Sequence, residues 1–328
     1  MNSLAFLRLM SLAIAVILAT SAQAQVDPAK NYPNKPIQVI VGFPPGGGTD
    51  IIARIVGQKL SEGLGQPVLV QTKVGAMGSI AAESVAKATP DGYTLMFAPG
   101  GVFTTNPVTY AKLPYSPVRD FVPISTVVEF PLFLIVNASQ PIHSVKELVN
   151  YLKANPKNTY YSGSAGLYQL VFELFKLRSG TQIEYIPYKG NIDSVNAVIA
   201  GDVLMTISDP GTVTGALKGG RVRGLAVTAA TRASSFPEMP TMAQAGIPDM
   251  EIGSWMGLFA PVGTPLAIVK KVQDEVIRVV KLSDVRERLT ALQVNPVGNT
   301  SEEFARLIAS ELSRWLALAK ASNIKPIN

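Results

Sequence analysis

The chain has 328 residues, a formal net charge of +6, 47% hydrophobic residues and no cysteine. That size and apolar content can bury a large core, which excludes a disordered class, and the missing cysteines exclude disulfides and thiolate chemistry. The basic residues, among them Lys73, Lys112, Lys157, Lys218, Arg221 and Lys270, are scattered with no run of five, which excludes a nucleic-acid footprint and leaves a mildly basic surface suited to anionic small molecules.

Residues 1–24 carry the marks of a secretory signal peptide. Arg8 precedes the apolar run Leu9–Ala19, and Ala22-Gln23-Ala24 is a small-x-small site with cleavage expected after Ala24. The run is short for a membrane span, and no cysteine stands beside the cleavage site to take a lipid. The remaining chain is long enough for two domains and is expected to be an exported, periplasmic, soluble monomer.

Ile37–Val41 has strand composition and is stopped by Phe43-Pro44-Pro45-Gly46-Gly47-Gly48. Thr49 or Asp50 then caps a helix whose apolar positions Ile51, Ile52, Ile55, Val56, Leu60 and Leu64 share a face, and Gly65 ends it. A strand, a glycine loop and a helix start make a concave surface of unpaired N–H groups in which the macrodipole favours an anion, here a carboxylate. Nucleotide phosphate is the rival ligand. The Walker pattern fails because no Lys-Ser or Lys-Thr follows the glycines, and the dinucleotide fingerprint lacks its third glycine. A tight turn with no ligand remains open from the loop alone.

The strand-helix alternation continues with a strand at Pro67–Gln71, the loop Lys73–Ser79, a helix Ile80–Ala88 and a strand Tyr93–Ala98. This is a βαβαβ half-unit of a doubly wound sheet. A second set follows: strand Leu132–Asn137, a helix to Ala154 opened by the capping box Ser144–Glu147, strand Asn158–Ser162, loop Gly163–Gly166 and helix Leu167–Arg178. Next come strand Ile183–Pro187, a helix to Ala200, strand Val203–Ser208, the loop Asp209-Pro210-Gly211 with a short helix, and strand Gly224–Thr228. Leu113–Pro123 and Phe236–Asp249 flank this set. A last strand, Gly257–Ala260, precedes three helices with Pro265, Ser283 and the capping box Thr300–Glu303 at their starts. Trp315 is assigned to the core with Phe304, Leu307, Ile308, Leu312 and Leu316.

The expected organisation is therefore an α/β protein of two lobes, residues 25–127 with 250–328 and residues 128–249, each a doubly wound sheet. Ligands of open α/β sheets bind beyond the carboxyl ends of the strands, so the two rows of loops would enclose a small molecule between them. Catalytic groups are scarce. His143 is the only histidine. Ser162-Gly163-Ser164-Ala165-Gly166 resembles a nucleophile elbow but lacks the first glycine, and His143 precedes Ser164 in the chain. An exported hydrolase using Ser164 is the alternative function. Asp50 and Asp209 are weighed evenly as helix caps and ligand contacts, Asp249 is assigned to a turn, and no metal or cofactor is expected.

Several motifs then carry a family resemblance. Tyr32-Pro33, Val41-Gly42-Phe43-Pro44-Pro45-Gly46-Gly47-Gly48-Thr49-Asp50, Pro90-Asp91-Gly92-Tyr93-Thr94-Leu95, Val118–Ile124, Tyr188-Lys189-Gly190, Gly224–Thr228, Gly257–Pro261 and Gly263-Thr264-Pro265 resemble the Bug family in order. These are solute-binding receptors of tripartite tricarboxylate transporters. The resemblance implies a Venus-flytrap periplasmic binding protein that holds a carboxylate-bearing ligand without catalysis and delivers it to membrane transporter subunits. Carried over by position, the ligand contacts are Phe43, Pro45, Gly46, Gly47, Gly48, Thr49 and Asp50 in the first loop, and Ala76, Met77, Gly78 and Ser79 in the second. The facing lobe offers Ser162, Ser164, Ala165, Tyr168, Tyr188 and Asp209 for the far part of the ligand. The chain departs from the family at Tyr168, Gln169 and Val171, where small residues and a histidine are usual, and at Asp193-Ser194, where Pro-Ala is usual. Which carboxylate is bound is therefore not carried over.

Overall fold

The computed structural model describes residues 29–322 except 158, 165, 189 and 234, together with residues 324 and 326; of Ser164 it describes the backbone only. The signal-peptide region lies outside the described residues. The strands are β1 (Ile37–Val41), β2 (Val68–Thr72), β3 (Thr94–Pro99), β4 (Phe121–Pro131), β5 (Phe133–Asn137), β6 (Tyr160–Ser164), β7 (Glu184–Tyr188), β8 (Met205–Ser208), β9 (Val222–Val227), β10 (Gly253–Pro261) and β11 (Asn295–Pro296). The helices are α1 (Gly48–Leu64), α2 (Ser79–Ala86), α3 (Gly101–Thr104), α4 (Asn106–Thr109), α5 (Val145–Ala154), α6 (Leu167–Ser179), α7 (Asn191–Ala200), α8 (Pro210–Lys218), α9 (Leu266–Val279), α10 (Ser283–Ala291) and α11 (Ser301–Ala321).

Two sheets organise two lobes. One has the order β11-β4-β10-β3-β1-β2 and the other β7-β6-β8-β5-β9. Burial follows position in the sheet. The interior strands β3 and β10 are apolar and buried on both faces, whereas the edge strand β2 alternates half-buried and exposed residues. The sheets are mixed: β1 pairs parallel with β2 and β3, but β10 runs antiparallel to both β3 and β4. In the second sheet β5 is antiparallel to β8 and β9.

These directions fix where the loops lie. β4 runs parallel to β1, β2 and β3, since β10 is antiparallel to its neighbours on both sides, so all four end at one sheet edge. By the same reasoning β6, β7, β8 and β9 end at one edge of the second sheet. The chain passes between the sheets from the end of β4 and from the end of β9, so the glycine loops of both sheets flank the crossings. There the passes are tied together. Thr228 N donates to Leu132 O at 2.9 Å and Ile252 N to Thr228 O at 2.7 Å. The Thr228 hydroxyl accepts from Leu132 N at 3.0 Å and donates to Ile252 O at 2.5 Å. Thr228 is fully buried, so this junction holds its backbone groups without help from water.

The long closing helix α11 starts as expected, with Thr300 Oγ1 accepting from Glu303 N and Glu303 Oε2 accepting from Thr300 N. Phe304, Ile308, Trp315 and Leu318 form its buried face, while Leu316 is 51% exposed and drops out of the expected stripe. Phe304 packs edge-on to Trp255, beside a stack of Phe103 on Phe259. The expected cap at Ser283 is instead the first residue of α10, with Leu282 at the cap position.

Candidate functional site

After β1 the chain turns through Phe43-Pro44-Pro45-Gly46-Gly47 and enters α1 at Gly48. Gly47, and not Thr49 or Asp50, is the N-cap, and no side chain caps this helix. The first intrahelical bond runs from Ile51 N to Gly47 O at 3.0 Å, which leaves the N–H groups of Gly48, Thr49 and Asp50 without a partner. Pro44, Pro45, Gly46, Gly47 and Gly48 are exposed, and Phe43 is half-buried.

The Asp50 side chain does not cap the helix because it folds back on the loop. It accepts from Gly46 N at 2.9 Å and from Arg54 Nε at 3.0 Å, and Arg54 lies one helical turn along the same helix. Hydrogen bonding from Arg54 holds the Asp50 carboxyl below its usual range, against the opposing effect of burial. The carboxylate is thus ionised, neutralised and fixed as a brace across Gly46–Asp50. What Asp50 leaves without an internal partner is its backbone N–H. Thr49, with its side chain also buried, does the same. The result is a helix start whose first three N–H donors carry no internal partner, an arrangement that suits a carboxylate oxygen.

The second loop lies against the first. A Cβ on Gly42 would come within 2.6 Å of Gly78 Cα, and one on Gly78 within 3.3 Å of the Phe43 ring. Gly75, Ala76, Met77 and Gly78 all have positive φ, a strained run for Ala76 and Met77 that places backbone at the loop tip. Asn106 Nδ2 holds it by donating to Met77 O at 3.1 Å. Ala76 is exposed and Met77 half-buried, whereas Ser79 is buried at the start of α2. The loop after β3 completes this edge, with Gly100 seated on the Trp255 ring.

On the second sheet three helix starts converge. Tyr168 is the second residue of α6, Asn191 the first of α7, and Asp209 the N-cap of α8. Asp209 Oδ1 accepts from Thr212 N and Thr212 Oγ1, both at 2.9 Å. Asp209 Oδ2 accepts from Asn191 Nδ2 at 2.6 Å and lies 3.5 Å from the Tyr168 hydroxyl, which is also bonded to Asn191. Burial, then the Asp209 charge, pushes the Tyr168 phenol well above its usual value, so it keeps its proton. The cap reading of Asp209 holds, and the residue sits with Tyr168 at the loop edge. Asn191 was not expected from the sequence, because nothing local links it to an aspartate on another helix. The two edges approach each other at Gly166, where a Cβ would lie 3.1 Å from Thr105 Oγ1.

Other expected contacts are placed differently. Ser162 is fully buried and donates to Ser194 O at 3.0 Å, while its own carbonyl accepts from Thr206 Oγ1. Its side chain faces the packing beneath α7 and is corrected to a structural role. Tyr188 is half-buried against the cluster containing Phe133, Val195 and Val198. Ser164 ends β6 at the loop edge, and Ala165 lies outside the described residues. His143 does not join Ser164. β5 runs opposite to β8, so the chain reaches His143 from the far edge of the sheet. There His143 borders a groove of about 830 Å³ with Lys146, Arg223 and Glu238. Of its side chains Arg223 is engaged, donating to the carbonyls of Ala138, Gln140 and Ile142, and beside the groove Glu147 accepts from His143 N. Glu147 therefore reaches back to residue 143 and not, as in a strict capping box, to the Ser144 cap.

A sequence model described as the tripartite tricarboxylate transporter family receptor matches residues 52–324. The protein BugT of Bordetella pertussis is 34% identical over 315 residues, covering 95% of this chain and 97% of the relative. Among solved structures, an R. palustris protein with adipate matches with a TM-score of 0.82 at 34% identity, covering 90% of this chain and 100% of the other. MatC from Rhodopseudomonas palustris with bound malate matches with a TM-score of 0.77 at 31% identity, covering 88% and 99%.

Proposed function

The chain belongs to the tripartite tricarboxylate transporter receptor family, and we propose that it is an extracytoplasmic receptor that closes its two lobes on a small carboxylate and delivers it to membrane transporter subunits. The lobes divide where the chain changes sheet, at Leu132 and within residues 228–252, and Thr228 is the tie about which they move. One observation carries the ligand class: Gly48, Thr49 and Asp50 leave unpaired N–H groups at a helix start that follows an exposed glycine loop, and Arg54 cancels the one charge that would repel an anion. The relatives solved with adipate and malate support the same class. With His143 and Ser164 at opposite sheet edges, no observation favours the hydrolase alternative.

A thermal-shift screen of mono- and dicarboxylates, adipate and malate included, tests this. At a hundred times its Kd a ligand adds about 2.7 kcal/mol of stability, enough to raise the melting temperature by a few degrees in a chain of this size. Neutral sugars should leave it unchanged. A sugar that stabilises the protein while no carboxylate does would remove the carboxylate assignment. Export is read out separately: N-terminal sequencing of periplasmic protein should begin at Gln25, and a sequence beginning at Met1 would contradict cleavage after Ala24.

A further inference from the structure

A cavity of about 250 Å³ opens between the lobes, on the flank of the crossings away from the glycine loops. The sheet orders place it there. β11 is the edge strand beyond β4 and β9 is the edge strand beyond β5, whereas β1 and β2 lie past β10, and β6, β7 and β8 lie on the other side of β5. Pro131 and Phe133, on either side of the first crossing, belong to its wall. The first lobe supplies Thr290, Gln293 and Asn295, from the end of α10 to the start of β11. The second supplies Thr231, Arg232 and Ser235, in the segment that follows β9.

This lining carries one charge, and it is positive. The Arg232 guanidinium is fixed by the chain that follows it: Nε donates to Gln244 Oε1 at 2.9 Å and Nη1 to Pro237 O at 2.8 Å. A guanidinium has five N–H donors, so three are left without a partner among the described residues. Neither residues 229–237 nor residues 288–297 include an aspartate or glutamate. Glu129 stands opposite Asn295 in the β4–β11 pair but is not part of the lining. The hydroxyls of Thr231, Ser235 and Thr290 and the Asn295 carboxamide add neutral donors from both lobes. A fixed guanidinium among neutral donors, with no acid beside it, suits an oxyanion.

We propose that this cavity is a second anion site, that it takes a small inorganic oxyanion, phosphate or sulfate, and that its occupant is linked to the movement of the lobes. An ion that bonds Arg232 on one side and Thr290 or Asn295 on the other holds the lobes at their present spacing. Movement about the crossings changes that spacing, so ion binding and closure on a carboxylate each shift the other's equilibrium. The site stands independently of the proposed receptor function, and the linkage rests on it.

The test is calorimetric titration of the purified protein with sodium phosphate and sodium sulfate, at constant ionic strength and against sodium chloride. At least one of the oxyanions should bind saturably where chloride does not. Gly48→Val, which obstructs the glycine loop, should leave that binding unchanged, and Arg232→Gln should weaken it at least about tenfold. Because Arg232 also ties its own segment together, Thr231→Glu is the second variant. Thr231 is exposed and makes no side-chain hydrogen bond among the described residues, and glutamate there sets a carboxylate beside the guanidinium. It should weaken oxyanion binding as strongly while leaving the unliganded melting temperature unchanged. Absence of saturable binding beyond chloride overturns the proposal. So does binding that Gly48→Val abolishes, which would put the ion at the start of α1, or binding that either Arg232→Gln or Thr231→Glu leaves unchanged. With the oxyanion bound, affinity for the best acid should change about fivefold or more, and Arg232→Gln should remove that change. An acid affinity that the bound oxyanion does not alter overturns the linkage alone. If no carboxylate binds at all, the receptor reading fails, and the phosphate and sulfate titrations still decide the site.

Discussion

Gly48→Val is expected to abolish carboxylate binding while leaving the unliganded protein folded. Gly48 is the first residue of α1 and carries one of the three unpaired N–H groups. A Cβ added there meets nothing within 4 Å, so the side chain enters open space beside the helix start and not the protein interior. Hydrogen bonds to a charged partner contribute roughly 1.5–3 kcal/mol each. Blocking two of them weakens binding on the order of a hundredfold or more. The neighbouring glycines give less readable variants. Gly46 has a φ of 78°, which a side chain strains, and a Cβ on Gly47 would lie 3.2 Å from Pro44 O. Calorimetric titration of the best acid from the screen provides the measurement, with the unliganded melting temperature as control. Unchanged affinity in Gly48→Val would mean that the ligand carboxylate is held elsewhere.

The first loop shows how far local sequence carries such a site. β1 is readable to the residue because a five-residue strand, apolar except for the exposed Gln38, ends against a run that no regular structure accommodates. The start of α1 is less so. Thr49 and Asp50 both have capping chemistry, and three glycines impose no preference of their own. The deciding contact is Asp50 to Arg54, a four-residue spacing present in the sequence, which draws the carboxylate away from the cap position.

The long strand β4 was hidden by proline. Pro123 and Pro131 mark the segment as a boundary when read alone. In the sheet, Pro123 sits at a register shift opposite Phe259 and Pro131 is the terminal residue, the two kinds of place where a strand tolerates proline. The antiparallel course of β10 was also invisible, since strand direction is set by the path between elements and not by the strand's own residues. The Asp209 cluster illustrates the same limit. Its three members start three different helices, and only the parallel alignment of β6, β7 and β8 brings them to one edge.

Gly42→Ala is expected to damage stability and binding together, through the contact between the first two loops. The added Cβ would lie 2.6 Å from Gly78 Cα, 3.2 Å from Gly78 O and 3.2 Å from Ala81 Cβ. The nearest obstacle is backbone, which cannot move aside as a flexible side chain can. Gly78 has little room to retreat either: it has a φ of 86°, Phe43 covers it, and Asn106 pins the adjoining Met77 carbonyl. Overpacking of this kind costs about 1–3 kcal/mol, and relief requires moving the second loop away from the first. The urea midpoint should therefore fall and the affinity for the best acid should drop at least about tenfold. Gly215→Ala is the contrasting variant. Gly215 is exposed in the middle of α8 with nothing within 4 Å of its missing Cβ, so alanine should stabilise the protein by roughly 0.4–1 kcal/mol without changing affinity. If Gly42→Ala matched the unaltered protein in both midpoint and affinity, the two loops would not be in contact, and the second would have no part in shaping the carboxylate site.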